Sequence, residues 1–219
     1  MSFISTIKKV ALLSALAFGV GHTQAAVVSS SDNSFNFAWN YETNFSTFLT
    51  GTGSMTISGF NSSSLSLVIT LANTSQQVGQ GGERLTAFAF GIDPNATSIS
   101  FSDAADGGFV DAGSAMGALP ANVLGVEVCA WGGQNCAGGG NGGIFAGSSD
   151  TFTITLGGNW GDSVTIDPIG LRYQTGYGSY TFPSGGPDTP VPEPISLALL
   201  GVGLLGVGAA RRFARRHPG

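Results

Sequence analysis

The chain has 219 residues, of which 35 are glycine and 10% are charged, and its formal net charge is −5. A hydrophobic fraction of 42% is too high for a disordered chain. With only 8 Lys and Arg residues, the composition excludes the basic surface that most nucleic-acid-binding proteins carry.

Residues 1–26 predict a secretory signal peptide. Two lysines near the start are followed by the uncharged 11-residue run Val10–Val20. Such a run suits the apolar part of a signal peptide and is too short to span a membrane. Small residues at the preceding positions favour cleavage after Ala25, with cleavage after Ala26 or a retained anchor helix as alternatives.

Residues 27–186 predict an exported all-β domain. Apolar residues alternate with Ser, Thr and Asn in segments such as Phe35–Tyr41, Leu65–Leu71 and Phe152–Leu156. This period places one face of a strand in a core and the other in water. About nine such strands predict an antiparallel β-sandwich, jelly-roll-like. Arg84–Ile92 is apolar at nearly every position, which predicts a central strand.

One segment of the domain has a helical alternative. Ala112–Leu119 carries Ala, Met and Leu residues that are compatible with one short helix. Gly113 and Gly117 argue against a helix of any length, because glycine destabilises a helix interior.

The ionisable residues of the domain exclude much enzyme chemistry. Val27–Pro190 contains twelve acidic residues, two arginines, no lysine and no histidine, so its formal charge is −10. Catalysis by Ser-His-Asp or Cys-His systems, Schiff bases and P-loops is therefore excluded within it. A carboxylate pair such as Glu42 with Glu127 is the remaining option, for glycoside hydrolysis. We expect no enzymatic activity and no cofactor.

Cys129 and Cys136 are the only cysteines, and six residues separate them. This spacing is wrong for a zinc knuckle, and export places the pair in an oxidising compartment. We expect an intramolecular disulfide that stabilises the fold by about 2.5 kcal/mol through loop-closure entropy. Two buried thiols or an intermolecular pair are the alternatives.

Asp103, Asp106 and Asp111 lie in a glycine-rich segment, Ser102–Gly113. Three carboxylates in one loop make a weak candidate for a Ca²⁺ site, because calcium takes six to eight oxygen ligands. A solvated acidic loop that binds no metal is the alternative.

Three tryptophans are candidates for contact with carbohydrate. Trp131 lies between the two cysteines, where an exposed ring could stack on a sugar, and Trp39 and Trp160 are further candidates. Packing of Trp131 on the core is the alternative that we favour.

The C-terminal residues form a three-part pattern. Residues 187–194 are rich in proline, which keeps a chain extended. Ile195–Ala210 follows with 16 uncharged residues, which span ~24 Å as a helix against a ~30 Å hydrocarbon core. Four arginines in residues 211–219 predict that the tail stays on the cytoplasmic side. These are Arg211, Arg212, Arg215 and Arg216.

The motif Val191-Pro192-Glu193-Pro194, followed by this apolar run and basic tail, resembles the PEP-CTERM sorting signal. The resemblance implies an exosortase substrate of a Gram-negative bacterium that makes exopolysaccharide, with removal of the tail and release to the cell surface or biofilm matrix. A plain single-span anchor is the alternative. The segment Val126–Gly143 resembles the cistern subgroup of these proteins, which implies no known chemistry.

Together these patterns predict a non-enzymatic exported protein of the cell surface or extracellular matrix. Its precursor is expected to be inserted in the inner membrane, with exosortase and exopolysaccharide as partners and no nucleic acid. A carbohydrate-binding module is the main alternative, and a glycoside-active enzyme is a weaker one.

Overall fold

The computed structural model describes residues 25–30, 34–77, 82–104, 108–115, 119, 123–138 and 141–185. The predicted linker, sorting helix and basic tail lie outside these residues, as does nearly all of the predicted signal peptide. Within the described ranges, no helix is long and apolar enough to cross a membrane.

The described residues form twelve β-strands. In chain order these are β1 (Ala26–Ser29), β2 (Ser34–Glu42), β3 (Phe48–Asn61), β4 (Ser64–Asn73), β5 (Arg84–Asp93), β6 (Ser98–Asp103), β7 (Asp111–Ser114), β8 (Val128–Trp131), β9 (Ile144–Phe145), β10 (Ser149–Gly157), β11 (Ser163–Thr175) and β12 (Gly178–Pro183).

Two antiparallel sheets pack face to face, which confirms the predicted all-β sandwich. Sheet I has the order β1-β11-β5-β8-β7, with β12 beside β11 and β9 beside β5. Sheet II has the order β2-β3-β4-β10-β6. Because β6 and β7 are edge strands that contact each other, they close one side of the sandwich.

The alternation in the sequence fixes which side chains enter the core. In β4, Leu65, Leu67, Ile69 and Leu71 are buried, whereas the residues between them are partly exposed. The same alternation in β2 and β10 sends apolar side chains toward sheet I, where Phe88 and Phe90 meet them. Burial of these side chains is the main force that holds the sheets together.

Strand β5 is central, as its sequence predicts. It pairs with β11 on one side and with β8 and β9 on the other. Ala87 and Ala89 pack in a second, smaller apolar cluster with both cysteines. Two alanines in this strand leave room for that cluster, which explains why the segment lacks a polar face.

Two features differ from the sequence-based expectation. Strands β1, β7 and β9 are additional, and each has at most four residues, too few to show an alternation. The helical alternative for Ala112–Leu119 is wrong where the segment is described, because Ala112, Gly113 and Ser114 belong to β7 and pair with β8. Gly113 also lies against the Trp131 ring, so space favours glycine there.

Two glycines of β3 make room for large rings of β2. Trp39 pairs with Gly51, and Phe37 pairs with Gly53. A Cβ atom at Gly53 would lie 2.2 Å from Cζ of Phe37, and one at Gly51 would lie 2.1 Å from Cζ2 of Trp39. The rings therefore lie directly over the glycines, and their packing requires the missing side chains.

Candidate functional site

The turns of the sandwich gather at its two ends. One end carries the β2–β3 turn (residues 43–47) and the β11–β12 turn (residues 175–178). The other end carries the β3–β4, β5–β6 and β10–β11 turns. We call the first the aromatic tip, defined by Asn44, Phe45, Ser46, Phe48, Tyr177 and Tyr180.

A buried polar network lies beneath the aromatic tip and joins the two sheets. The Trp39 indole donates to Tyr173 Oη (2.9 Å), and Tyr173 Oη donates to Asn73 Oδ1 (3.1 Å). The Asn73 amide donates to the carbonyls of Glu83 and Ile144, each at 2.9 Å. Burial raises the pKa of Tyr173 to about 12, although hydrogen bonds with Ser75 and Trp39 act in the opposite direction. The phenol is therefore neutral and available as a donor at ordinary pH.

A buried threonine fixes the first turn of the tip. The Thr43 hydroxyl accepts hydrogen bonds from the backbone N–H groups of Phe45 (3.3 Å) and Thr47 (3.2 Å). Thr43 and Thr47 also pair through the backbone at 2.8 Å. Ser46 adopts a φ of 55°, a left-handed conformation that is uncommon for a residue with a side chain.

A second buried threonine fixes the other turn. The Thr175 hydroxyl accepts from the Tyr177 N–H (3.0 Å) and donates to the Gly178 carbonyl (3.1 Å). Tyr180 Oη donates to Asn44 Oδ1 at 2.9 Å, which links this hairpin to the first turn. The two turns come from different sheets, so the tip bridges the sandwich.

Three aromatic side chains are exposed at the tip. Phe45 is 54% exposed and Tyr177 is 53% exposed, and their rings stack with centroids 5.0 Å apart and an angle of 24°. Phe48 is 49% exposed and borders a cavity of about 300 Å³. Ser46, Thr50, Thr74 and Gln76 also line this cavity, so uncharged polar residues adjoin the Phe48 ring there.

The opposite end, which we call the acidic end, carries Asp93, Glu127, Asp162 and Asp167. A groove of about 560 Å³ opens there and is lined by Asn95, Thr97, Ser98, Ser114 and Glu127 among others. Burial raises the pKa of Glu127, a backbone hydrogen bond from Ile92 opposes this, and the charge of Asp93 adds to it. Oε2 of Glu127 makes no hydrogen bond to the described residues.

The predicted disulfide is confirmed. Cys129 and Cys136 are bonded, with their Cα atoms 6.0 Å apart, and both are buried. Two separate thiols and an intermolecular pair are therefore excluded. The bond tethers the 132–138 loop to β8 and covers the alanines of β5.

The acidic loop is held by a carboxylate that the calcium hypothesis did not use. Asp150 is buried, and its Oδ2 accepts from the Phe109 N–H at 2.7 Å. Asp103 and Asp111 each accept from the N–H of the following residue. Asp106 lies outside the described residues. In the part of the chain that the structure describes, no group of three His, Cys, Asp or Glu residues could hold a metal ion.

The hypothesis that exposed tryptophans contact carbohydrate is wrong for two of the three tryptophans. Trp39 and Trp160 are each only 4% exposed. Trp160 donates to the Pro94 carbonyl (2.9 Å), and Trp39 belongs to the network beneath the tip. Trp131 is partly buried and packs on the small cluster around the disulfide, as the favoured alternative predicted.

The structure separates the two carboxylates that were considered as a catalytic pair. Glu42 ends β2, next to the turn of the aromatic tip, and it is exposed. Glu127 lines the groove of the acidic end. Because the two side chains lie at opposite ends of the sandwich, they cannot act together on one glycosidic bond.

The comparison with family models concerns the C-terminal residues. Residues 190–216 match the model described as the PEP-CTERM protein-sorting motif. The chain carries a PEP-CTERM sorting motif. This motif implies an exported protein that exosortase sorts and processes, at the membrane or cell surface. No curated protein and no solved structure matches the chain significantly.

The PEP-CTERM match confirms the predicted resemblance and covers the residues proposed for sorting. Val191, Pro192, Glu193 and Pro194 fall within it, as do the four arginines of the tail. The match does not extend to Val126–Gly143, so the likeness to the cistern subgroup stays a prediction.

The exposed aromatics of the tip were not among the sequence-based candidates. Phe45 lies in the turn sequence Asn44-Phe45-Ser46, and Tyr177 lies in Gly176-Tyr177-Gly178. A large aromatic residue flanked by turn formers is a usable signal, because it sits outside the alternation that buries its neighbours. Their proximity carries no sequence signal, since the two turns are far apart in the chain.

Proposed function

We propose that this PEP-CTERM protein is a non-catalytic component of the cell surface or extracellular matrix, where it associates with exopolysaccharide. The sorting motif at residues 190–216 is the observation that carries the proposal. It follows within a few residues of a folded β-sandwich, so processing would release or tether a complete domain.

The composition and the placement of carboxylates support a role without catalysis. Val27–Pro190 contains no histidine and no lysine. Asp150 anchors a backbone N–H, and Glu42 and Glu127 lie at opposite ends of the sandwich. We therefore expect no release of reducing sugar when the protein is incubated with polysaccharides. Measurable turnover that depends on Glu127 would contradict the non-catalytic part of the proposal.

Strand β1 supports a particular mature N-terminus. Ala26 is buried and pairs with Ile166 at the start of β1. Cleavage after Ala25 would leave this strand whole, whereas cleavage after Ala26 would remove its first residue. We expect the mature protein to begin at Ala26.

Intact-mass spectrometry of membrane, surface and medium fractions from the host tests the sorting role. We expect the surface form to lack residues 1–25 and the tail beyond the Pro192-Glu193-Pro194 motif. The control is the variant Pro192→Ala/Glu193→Ala/Pro194→Ala, which should keep its tail and accumulate in the membrane fraction. A wild-type protein that keeps its tail and stays in the inner membrane would overturn the proposal.

A further inference from the structure

We propose that the aromatic tip is a binding site for a neutral polysaccharide, and this inference rests on the proposed location of the protein among exopolysaccharide. The apolar faces of sugar rings pack against aromatic rings, and their hydroxyl groups bond to amides and hydroxyls. The tip presents both kinds of group side by side.

The aromatic part of the tip is the Phe45–Tyr177 pair together with Phe48. About half of each of these side chains is exposed to solvent. Exposed aromatic residues that adjoin one another mark interaction sites, because leaving such apolar surface in water is unfavourable. The stacked pair and the wall of the cavity are joined through Ser46 and Thr47, which lie between them in one turn.

The polar part of the tip surrounds these rings with uncharged groups. The cavity beside Phe48 is lined by Ser46, Thr50, Thr74 and Gln76, whose side chains carry hydroxyl or amide groups, and the Thr74 hydroxyl donates to that of Thr50 at 3.0 Å. A volume of about 300 Å³ lies at the small end of the range for ligand sites. Such a cavity fits a sugar residue of a longer chain better than the extended interface that a protein partner needs.

The tip is built before any ligand arrives. Thr43 and Thr175 hold the two turns from inside, and the Tyr180–Asn44 bond holds the turns to each other. A binding surface that is already ordered avoids the entropy cost of ordering its side chains on binding. Rigid aromatic rings therefore favour recognition of a weakly interacting polymer.

The distribution of charge favours a neutral polymer. The domain has a formal charge of −10, and four of its exposed or partly exposed carboxylates lie at the acidic end. Glu42 is the exposed carboxylate beside the tip, and Arg84 and Arg172 lie in the half of the sandwich nearer to it. At low ionic strength an anionic polysaccharide is repelled by the net charge of the domain, whereas a neutral one meets no such barrier.

The last described residues run away from the turns of the aromatic tip and leave its rings uncovered. Strand β12 begins at the β11–β12 turn of the tip and runs toward the acidic end. The described chain then ends at Gly185, whose N–H donates to the Ala38 carbonyl at 3.0 Å. Ala38 lies four residues before Glu42, where β2 ends at the tip, and the described C-terminal residues leave Phe45 and Tyr177 about half exposed.

Affinity electrophoresis of the full chain in mild detergent tests the site. Gels would contain a neutral glucan, galactomannan or xylan, or the anionic polymer alginate. We expect retardation by at least one neutral polysaccharide and none by alginate. Phe45→Ala and Tyr177→Ala should each weaken binding about tenfold, as expected for the loss of one aromatic contact. Leu124→Ala, at an 82% exposed residue away from the tip, should bind like wild type.

The outcomes separate this inference from the proposed function. Absence of retardation by every neutral polymer, retardation by alginate alone, or unchanged binding by both tip variants would overturn the site. A dimer in sedimentation velocity that both tip variants abolish would assign the tip to a second copy and would also overturn it. Near-ultraviolet circular dichroism should show both variants folded. Export and processing of the variants are measured separately by mass in host fractions, so failure of sorting does not alter the result of the gel.

Discussion

The two ends of the sandwich differ in how their turns are supported. At the aromatic tip, buried threonines and a Trp–Tyr–Asn network hold the turns from within. At the acidic end, the buried Trp160 indole links the β10–β11 turn to the Pro94 carbonyl of the β5–β6 turn, and Asp93 and Asp162 of these turns are exposed. Along the strands, the alternation of apolar and polar residues decides which side chains are buried, whereas the turns at the two ends follow no such pattern. The difference shows that one scaffold can hold both ends from within, yet present aromatic rings at one end and carboxylates at the other.

The largest expected effect comes from the network under the tip. Asn73→Ala would leave the Glu83 and Ile144 carbonyls and the Tyr173 hydroxyl without their Asn73 partner. We expect a loss of about 3 kcal/mol in the free energy of unfolding, because buried polar groups without partners are costly. Urea denaturation, monitored by tryptophan fluorescence, measures this change in the free energy of unfolding.

A matched control for this change lies at the acidic end. The Asn61 side chain accepts from Ser63 N–H at 2.9 Å and is exposed. Asn61→Ala should cost about 0.5 kcal/mol, since water can replace the lost bond. Equal losses for the two variants would show that the ends do not differ in internal support.

A smaller effect is expected from the glycines of β3. Gly53→Ala would place a methyl group against Phe37 and should cost about 2 kcal/mol by overpacking. Gly59→Ala, nearer the acidic end of the same strand, is the control, because its Cβ would lie 3.8 Å from the nearest atom, Ser66 Cβ. That variant should stay within about 0.5 kcal/mol of wild type in thermal unfolding. A neutral Gly53→Ala would contradict the packing of Phe37 over the glycine.

The Thr43 hydroxyl, which fixes the first turn, should contribute about 1 kcal/mol to the free energy of unfolding. Thr43→Val keeps the shape of the side chain and removes the acceptor for the Phe45 and Thr47 N–H groups. Thr97→Val at the acidic end removes an exposed hydroxyl bond to the Gly157 carbonyl and should change stability less. Hydrogen exchange of the Thr47 amide should rise only in the Thr43 variant. Protection that is unchanged there would mean that the hydroxyl does not hold the turn.

The smallest effect is a dependence on pH at the acidic end. The pKa of Glu127 in the folded state is raised above its ordinary value of 4.5. The group therefore stabilises the fold fully below the unfolded pKa, and this contribution is lost as pH rises through the folded pKa. Glu127→Gln should remove that decline, so its stability relative to wild type should increase from pH 4 upward and then level off. A difference that is constant across this range would contradict the raised pKa.

The sandwich could be predicted because most of its strands carry a readable alternation. Phe37 and Trp39 occupy inward positions of such a pattern in β2, and the same pattern argued against Trp39 as an exposed contact for sugars. The disulfide could also be predicted, because the chain has two cysteines and export places them in an oxidising compartment. The tip could not be predicted, because Phe45 and Tyr177 belong to hairpins of different sheets and meet only through the packing of the two sheets. The Glu127 groove likewise depends on the meeting of β6 and β7.

The hydrogen bond between Gly185 and Ala38 sets the reach of the protein after sorting. Pro194 lies nine residues after Gly185, and nine residues of fully extended chain cover at most roughly 32 Å. The longest strand has 14 residues, and 14 residues of strand cover about 46 Å. If the mature domain is attached near Pro194, the segment that links it to the attachment point is therefore shorter than β3. The last strand would then stay within roughly 32 Å of the attachment point, whatever the orientation of the domain.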